Sequence, residues 1–336
     1  MRSSEDGLRR PGAAAWGPRA TAPAGRVEAA HRARLASFDV LRLAALTAIV
    51  AFHAGAPGSR YTAWRLPALA IISAALAAGR AEPLPIASRA RRAGGRLLVP
   101  WLFWCGVYGA VELASHLRHG ASILDELGPR VLATGTSVHL WYLPFAFAML
   151  LFVEVARRLT DRLPPAAVCC AAIATAALML AALAVDKPYL GDAGTPGPQW
   201  LRSLPAPFLG LAVGTAMRRG ELGGRRLLAV TAAAAAACAL IAVRLEDDLA
   251  ARYGVALLLV APASTWRFEP PRWLAEAAGL GMGVYLVHML VHRAVYAVSN
   301  RLPTPDLPPA AQALLVIALS FAAAAALVRS PLRRFV

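Results

Sequence analysis

The chain has 336 residues, and its 35 lysines and arginines outnumber its 19 aspartates and glutamates, which gives a net charge of +16. Apolar residues make up 58% of the chain and the mean hydropathy is +0.53. A soluble domain is about 45–50% apolar, so this composition argues against a nucleic-acid-binding protein despite the charge. It also excludes a disordered chain, a coiled coil and a disulfide-rich secreted domain. We interpret the chain as a membrane protein whose charge lies in cytoplasmic loops.

Residues 1–35 form a polar segment rich in Arg, Ala, Gly and Pro, without the apolar stretch of a signal peptide. We predict a disordered basic cytoplasmic tail here, followed by one transmembrane domain over residues 36–336. Lys187 is the only lysine, and with the high alanine content this is typical of a GC-rich bacterial genome. The predicted location is therefore the bacterial cytoplasmic (inner) membrane.

Ten apolar segments follow the tail, and a transmembrane helix needs about 20 mostly apolar residues. They lie at 38–56, 61–79, 96–115, 138–156, 164–185, 199–217, 226–243, 249–264, 273–298 and 310–328. Three of them are short or interrupted by Pro or Arg, and we expect tilted, broken or partly re-entrant helices there: 61–79, 199–217 and 249–264. The predicted fold is an all-α integral membrane protein with about ten transmembrane helices.

The arginines predict the orientation of these helices. If the N-terminus is cytoplasmic and the loops alternate, 24 of the 35 basic residues lie on the cytoplasmic side and 10 on the other. The one that remains, Arg42, lies inside a helix. Basic residues favour the cytoplasmic side, so this division predicts ten spans with both termini in the cytoplasm.

The first helix carries three polar residues, Asp39, Arg42 and His53. A charged residue at the middle of a membrane helix costs about 2.5–3.5 kcal/mol, so such residues usually face a cavity. The eleven steps from Arg42 to His53 turn a helix by about 1100°, which is close to three full turns. The two side chains therefore share one face, and Asp39 is placed to pair with Arg42. The alternatives are an ordinary ion pair at a helix end for Asp39 and Arg42, and a packed core histidine for His53.

The first helix opens Phe38-Asp39-Val-Leu-Arg42, and ten residues separate this arginine from His53. This pattern resembles the acyltransferase family 3 of integral membrane proteins. Other motifs resemble the same family in the same order: Arg92-Ala-Gly-Gly-Arg96 before Pro100-Trp101, His139-Leu-Trp141-Tyr142-Leu-Pro144, Gly283-Val-Tyr285-Leu-Val-His288 and Ser330-Pro-Leu-Arg-Arg334. Ala74 stands after Ser73 where the family often has Gly, and Leu43 replaces another Gly.

The resemblance implies transfer of an acyl group, commonly acetyl from acetyl-CoA, to a hydroxyl of an extracytoplasmic sugar, a lipid-linked or polymeric glycan or a small molecule. His53 is then the candidate base that takes a proton from the hydroxyl, or the residue that carries the acyl group covalently. Arg42, oriented by Asp39, either holds the CoA phosphates or stabilises an oxyanion. The sequence leaves these alternatives open.

Further candidates flank this helix. Arg91, Arg92 and Arg96 lie at a cytoplasmic helix start, where guanidinium groups and free backbone N–H groups suit phosphate; the alternative is a purely topological signal. The predicted acceptor-binding residues are His139, Trp141, Tyr142 and His288, although interfacial aromatic residues and core histidines are the simpler interpretation. His288 and His292 are spaced like a zinc pair, but the sequence places no third ligand, so we expect no metal.

The predicted function is a membrane-embedded O-acyltransferase that uses acyl-CoA and a carbohydrate or glycolipid acceptor within the lipid bilayer, with no nucleic-acid partner. A multi-pass transporter that uses Asp39, Arg42 and His53 as a proton or substrate relay is the alternative.

Overall fold

The computed structural model describes the backbone of residues 24–80, 82, 85–119, 131–185, 196–218, 224–301 and 307–336. In these ranges the chain is helical, without strands. The helices are α1 (Ala24–His53), α2 (Arg65–Ala78), α3 (Ile86–Ala93), α4 (Val99–His119), α5 (Val131–Thr134), α6 (Tyr142–Thr160), α7 (Pro165–Val185), α8 (Pro196–Ser203), α9 (Pro205–Arg218), α10 (Gly224–Leu245), α11 (Asp248–Thr265), α12 (Arg272–Gly279), α13 (Gly281–Ser299) and α14 (Pro309–Arg329).

Eight helical stretches in the described part are long and apolar enough to cross a membrane. They are Ala36–His53, Ser59–Ala78, Ile86–Leu117, Val138–Thr160, Pro165–Val185, Leu227–Leu245, Gly281–Ser299 and Pro309–Arg329. This is roughly consistent with the predicted count of about ten. The two remaining predicted segments, 199–217 and 249–264, coincide with α8–α9 and with α11.

The predicted irregularity at 199–217 has a clear cause. The segment divides into α8 and α9, which begins at Pro205. Proline lacks a backbone N–H and is favoured at the first position of a helix, so a new helix begins there. Helix α11 carries Pro262 near its end, and the side chain of Asp247 caps its beginning by accepting a hydrogen bond from the backbone N–H of Ala250 at 3.1 Å.

Helix α1 begins within the segment that we expected to be a tail, since its backbone is helical from Ala24 onwards. Residues 1–23 of that predicted tail lie outside the described residues. Towards the membrane, the Ser37 hydroxyl donates a hydrogen bond to the Ala263 carbonyl near the end of α11. This contact joins the beginning of the first span to a helix end that the arginine pattern also assigns to the cytoplasmic side.

Two apolar cores hold the bundle together. One packs α2, α7, α9 and α11 against α6, and the other packs α4, α13 and α14 around the outer half of α1. Helix α1 belongs to both, because Phe38 and Leu41 lie in the first core while Leu46, Val50 and Ala54 lie in the second. Between these two groups, Arg42 and Leu43 line a cavity.

Helices α2 and α9 approach each other closely where the glycines of α9 meet alanines of α2. A Cβ built on Gly214 would lie 2.5 Å from the Ala75 carbonyl oxygen and 2.6 Å from the Ala78 Cβ. Small residues allow membrane helices to pack at short distance, where van der Waals contact and hydrogen bonding replace the hydrophobic effect. The glycines of this contact lie on α9 and the alanines on α2.

The substitution Gly214→Ala tests this contact. We expect it to destabilise the protein by about 1–3 kcal/mol, because the added methyl group meets backbone atoms that cannot move aside. Thermal unfolding in detergent measures the effect. The control is Gly106→Ala in α4, where a Cβ meets nothing within 4 Å. A Gly214→Ala protein as stable as the Gly106→Ala protein would show that the close packing is not required.

Candidate active site

A cavity of about 420 Å³ lies where α1, α2, α3, α6 and α13 meet. Its wall contains five arginines: Arg42, Arg80, Arg89, Arg92 and Arg96. None of the described residues that line it is an aspartate or a glutamate. All five belong to the cytoplasmic end of their helices in the predicted topology. The cavity thus presents a concentrated positive charge at one end of the bundle, which favours an anionic ligand.

The junction of α3 and α4 contributes arginines to this cavity. A π-helical turn at Gly94–Leu98 joins the two helices, so that one span runs from Ile86 to Leu117. Such turns interrupt α-helices and are frequent at functional sites. Arg91, Arg92 and Arg96 are all exposed, but only Arg92 and Arg96, on either side of the two glycines, line the cavity. Of the three arginines predicted to bind phosphate, Arg92 and Arg96 therefore lie at the cavity and Arg91 lies outside it.

Arg89 is held by a buried carboxylate. Its Nε lies 3.9 Å from Glu154 Oε2, and Arg158 Nε lies 3.7 Å from the other oxygen of Glu154. The side chain of Glu154 is fully buried and that of Arg89 is 6% exposed. Nε and Nη2 of Arg89 have no hydrogen-bond partner within the described structure, although the side chain lines the cavity. Glu154 therefore balances the charge of the buried Arg89 guanidinium, and these two donors are enclosed by protein.

The predicted pairing in α1 is present. Arg42 Nη1 donates a hydrogen bond to Asp39 Oδ1 at 3.3 Å, and Arg42 also lines the cavity. His53 lies beyond the cavity, seven residues after the last lining residue of α1, Leu46, or about 10 Å along the helix axis. Both side chains lie towards α13: Arg42 lines the cavity to which α13 contributes, and the His53 ring contacts His288 of α13. This agrees with the prediction that Arg42 and His53 share one face of α1.

Three histidines from three spans meet above the cavity. The His288 ring centroid lies 5.2 Å from that of His53 and 5.0 Å from that of His139. His139 and His288 are buried, while His53 is half-buried. Tyr285 lies between this cluster and the cavity: it lines the cavity, and its hydroxyl donates a hydrogen bond to the His139 carbonyl. We call these three imidazoles the histidine cluster.

The predicted acceptor residues are thus divided. His139 and His288 belong to the histidine cluster, and Tyr142 lines the cavity with its ring 6.0 Å from that of Tyr285. Trp141 instead lies in the apolar core, 6% exposed, and packs against Phe145. Its ring has no free face in this structure on which a sugar would stack. Among the described residues, no group of three or more His, Cys, Asp or Glu side chains is arranged to hold a metal ion.

A comparison with protein families decides the class. The sequence profile of an acyltransferase domain, that of family 3, matches residues 35–329. The chain belongs to acyltransferase family 3. No curated protein and no solved structure gives a significant match. Membership in this acyltransferase family makes the chain an enzyme, and the apolar helices make it a multi-pass membrane protein.

Two features of this acyltransferase escaped the sequence analysis. Glu154 was not predicted as a site residue, although a carboxylate inside an apolar helix usually needs a buried partner. Arg89 was counted only as a cytoplasmic charge. The meeting of His53, His139 and His288 was also missed, because the three residues lie far apart in the sequence and no spacing rule connects them.

The buried ion pair is tested by Glu154→Gln. Removing the carboxylate leaves Arg89 buried without a counter-charge, which we expect to cost about 3–5 kcal/mol. Asp161→Asn is the matched control, because Asp161 pairs with Arg218 at 2.9 Å but its carboxylate is exposed to solvent. The expected cost of this substitution is below about 1 kcal/mol. Thermal unfolding in detergent compares the two proteins. Equal losses of stability would mean that burial of the Glu154 pair has no special weight.

Proposed function

We propose that this enzyme transfers an acyl group, most simply acetyl, from cytoplasmic acyl-CoA to a hydroxyl of an extracytoplasmic or lipid-linked carbohydrate in the bacterial inner membrane. The observation that carries the proposal is the arrangement of an arginine-lined cavity directly below a cluster of imidazoles. An acyl-CoA has two matching ends, a nucleotide with several phosphates and a long flexible arm that ends in the thioester.

The five cavity arginines suit the nucleotide end. Guanidinium groups bind phosphate oxygens with two parallel hydrogen bonds, and such charged bonds are stronger than neutral ones. Four of the five are partly or fully exposed and support this assignment best, whereas Arg89 is buried against Glu154. Above the arginines the lining becomes apolar, with Leu46, Leu143 and Met282, which suits an acyl-bearing arm better than a phosphate.

The histidine cluster suits the chemistry. In the direct route, His53 takes the proton of the acceptor hydroxyl, the oxygen attacks the thioester carbonyl, and the released thiolate of CoA receives the proton. In the covalent route, His53 accepts the acyl group first and passes it to the acceptor. Both routes need His53 close to the thioester and to the acceptor hydroxyl. Of the predicted acceptor residues, Tyr142 lines the cavity, while His139 and His288 are buried.

The donor site is tested by the binding of CoA to the purified protein in detergent, measured by calorimetry. We expect Arg42→Ala and Arg92→Ala each to weaken binding about tenfold, since a charged hydrogen bond contributes about 1.5–3 kcal/mol. Arg91→Ala removes the same charge from a neighbouring exposed position outside the cavity, so its affinity should stay within about twofold of the wild type. Equal weakening by all three would indicate attraction to surface charge and no cavity site.

The transfer itself is tested in the producing strain. Deletion of the gene should remove an acyl-sized mass from a surface glycan or glycolipid in mass spectra, the wild-type protein should restore it, and His53→Ala should not. His116→Gln, on α4 and outside the histidine cluster, should restore the mass. An acyl profile that is unchanged by the deletion across glycan and lipid fractions would contradict the proposed function.

A further inference from the structure

His288 is the least accessible polar group near the site. It is fully buried in α13, and its Nε2 has no hydrogen-bond partner within the described structure. A buried polar atom without a partner costs about 1–3 kcal/mol, so such an atom usually serves a purpose or meets a group that is absent. The ring of His53 is one of the two imidazoles in contact with it.

The other nitrogen fixes the state of the His288 ring. Its Nδ1 lies 2.7 Å from the Tyr285 carbonyl oxygen. A carbonyl oxygen only accepts, so Nδ1 carries the hydrogen of this bond. In the neutral ring Nε2 then has a lone pair and is an acceptor. The backbone of α13 therefore prepares His288 to receive one N–H.

We propose that His288 is a positioning residue for His53: a rotation of the His53 imidazole brings its N–H to the unpartnered Nε2 of His288, which accepts it and so fixes the tautomer of His53. This rests on the proposed role of His53 as the base. The ring centroids are 5.2 Å apart and the rings are inclined by 44°, so the two histidines lie side by side. His53 then keeps its lone pair on the nitrogen that faces away from His288, where it takes the proton of the acceptor hydroxyl.

The arrangement resembles in logic the triad of hydrolases, where a third group orients the base and stabilises its charged form. Here one hydrogen bond runs from the His53 N–H to His288 Nε2, and a second runs from the His288 Nδ1–H to the Tyr285 carbonyl. During transfer the O–H bond of the acceptor breaks and its proton goes to His53, the C–O bond forms as the C–S bond breaks, and the proton passes to the thiolate. His288 neither gains nor loses a proton in this cycle.

His139 is the competing donor. Its ring lies 5.0 Å from that of His288, its Nδ1 lies 3.0 Å from Ser137 Oγ, and its Nε2 is also unpartnered within the described structure. His288 Nε2 has one lone pair and accepts one N–H, so His53 and His139 cannot both use it. The experiment therefore has to observe His53 itself.

The direct test is nitrogen NMR of the full-length protein with ¹⁵N-labelled histidine, in detergent at a pH where the imidazoles are neutral. The wild type should show His53 in a single tautomer, and His288→Leu, which has no acceptor, should show a mixture. His288→Gln offers an amide oxygen and should retain most of the single form. His116→Gln is the control, because His116 Nδ1 makes the same type of contact, 2.8 Å to the Glu112 carbonyl, outside the cluster. An unchanged His53 tautomer in His288→Leu would overturn the proposal.

The kinetic test uses acetyl-CoA as donor and the producing strain's own membrane glycan fraction as acceptor, with release of CoA thiol as readout. We expect His288→Leu to lower kcat about 100-fold with the KM for acetyl-CoA within about twofold, and His288→Gln to recover about a tenth of the wild-type kcat. Equal losses in both variants, or a KM that rises as kcat falls, would indicate a structural role and contradict the proposal. If the wild-type protein releases no CoA, the proposed function fails, while the NMR result still decides the role of His288.

Discussion

The position of helix α1 between two apolar cores determines where the charged and imidazole groups of the site lie. Ionisable groups inside a membrane are costly unless they face a cavity or a partner, and α1 carries three of them. Its cytoplasmic half packs against α2 and α11 and directs Arg42 to the cavity, while its outer half packs against α13 and brings His53 to His288. A single rigid helix thereby fixes the distance between the arginine end and the imidazole end of the site.

Tyr285 and the apolar lining connect these two ends. The tyrosine takes part in both, because it lines the cavity and donates a hydrogen bond to the backbone of His139. Between the arginines and the histidine cluster the wall is formed by leucines and methionine, which exclude water and leave room for an uncharged chain. Charge recognition and chemistry are thus separated along the helix axes, as the proposed cytoplasmic donor and outward acceptor require.

Much of this could be predicted from the sequence, because it depends on local rules. Hydropathy located most of the spans, and helical periodicity placed Arg42 and His53 on one face of α1. The orientation that the arginine count indicates stays a prediction. The contacts between distant helices could not be predicted. The pair of Glu154 and Arg89, the meeting of three histidines and the burial of Trp141 depend on which helices become neighbours. The π-helical turn at Gly94–Leu98 also follows no simple sequence rule.

The central claim is that one acyl-CoA spans the site, with its phosphates among the cavity arginines and its thioester at His53. A structure of the protein in lipid nanodiscs with a non-hydrolysable acetyl-CoA analogue tests this most directly. The account predicts phosphates within hydrogen-bond distance of Arg42, Arg92 or Arg96, and the carbonyl carbon beside the His53 ring. A nucleotide bound elsewhere, or a carbonyl that stays at the arginine end while His53 contacts only protein, would contradict it.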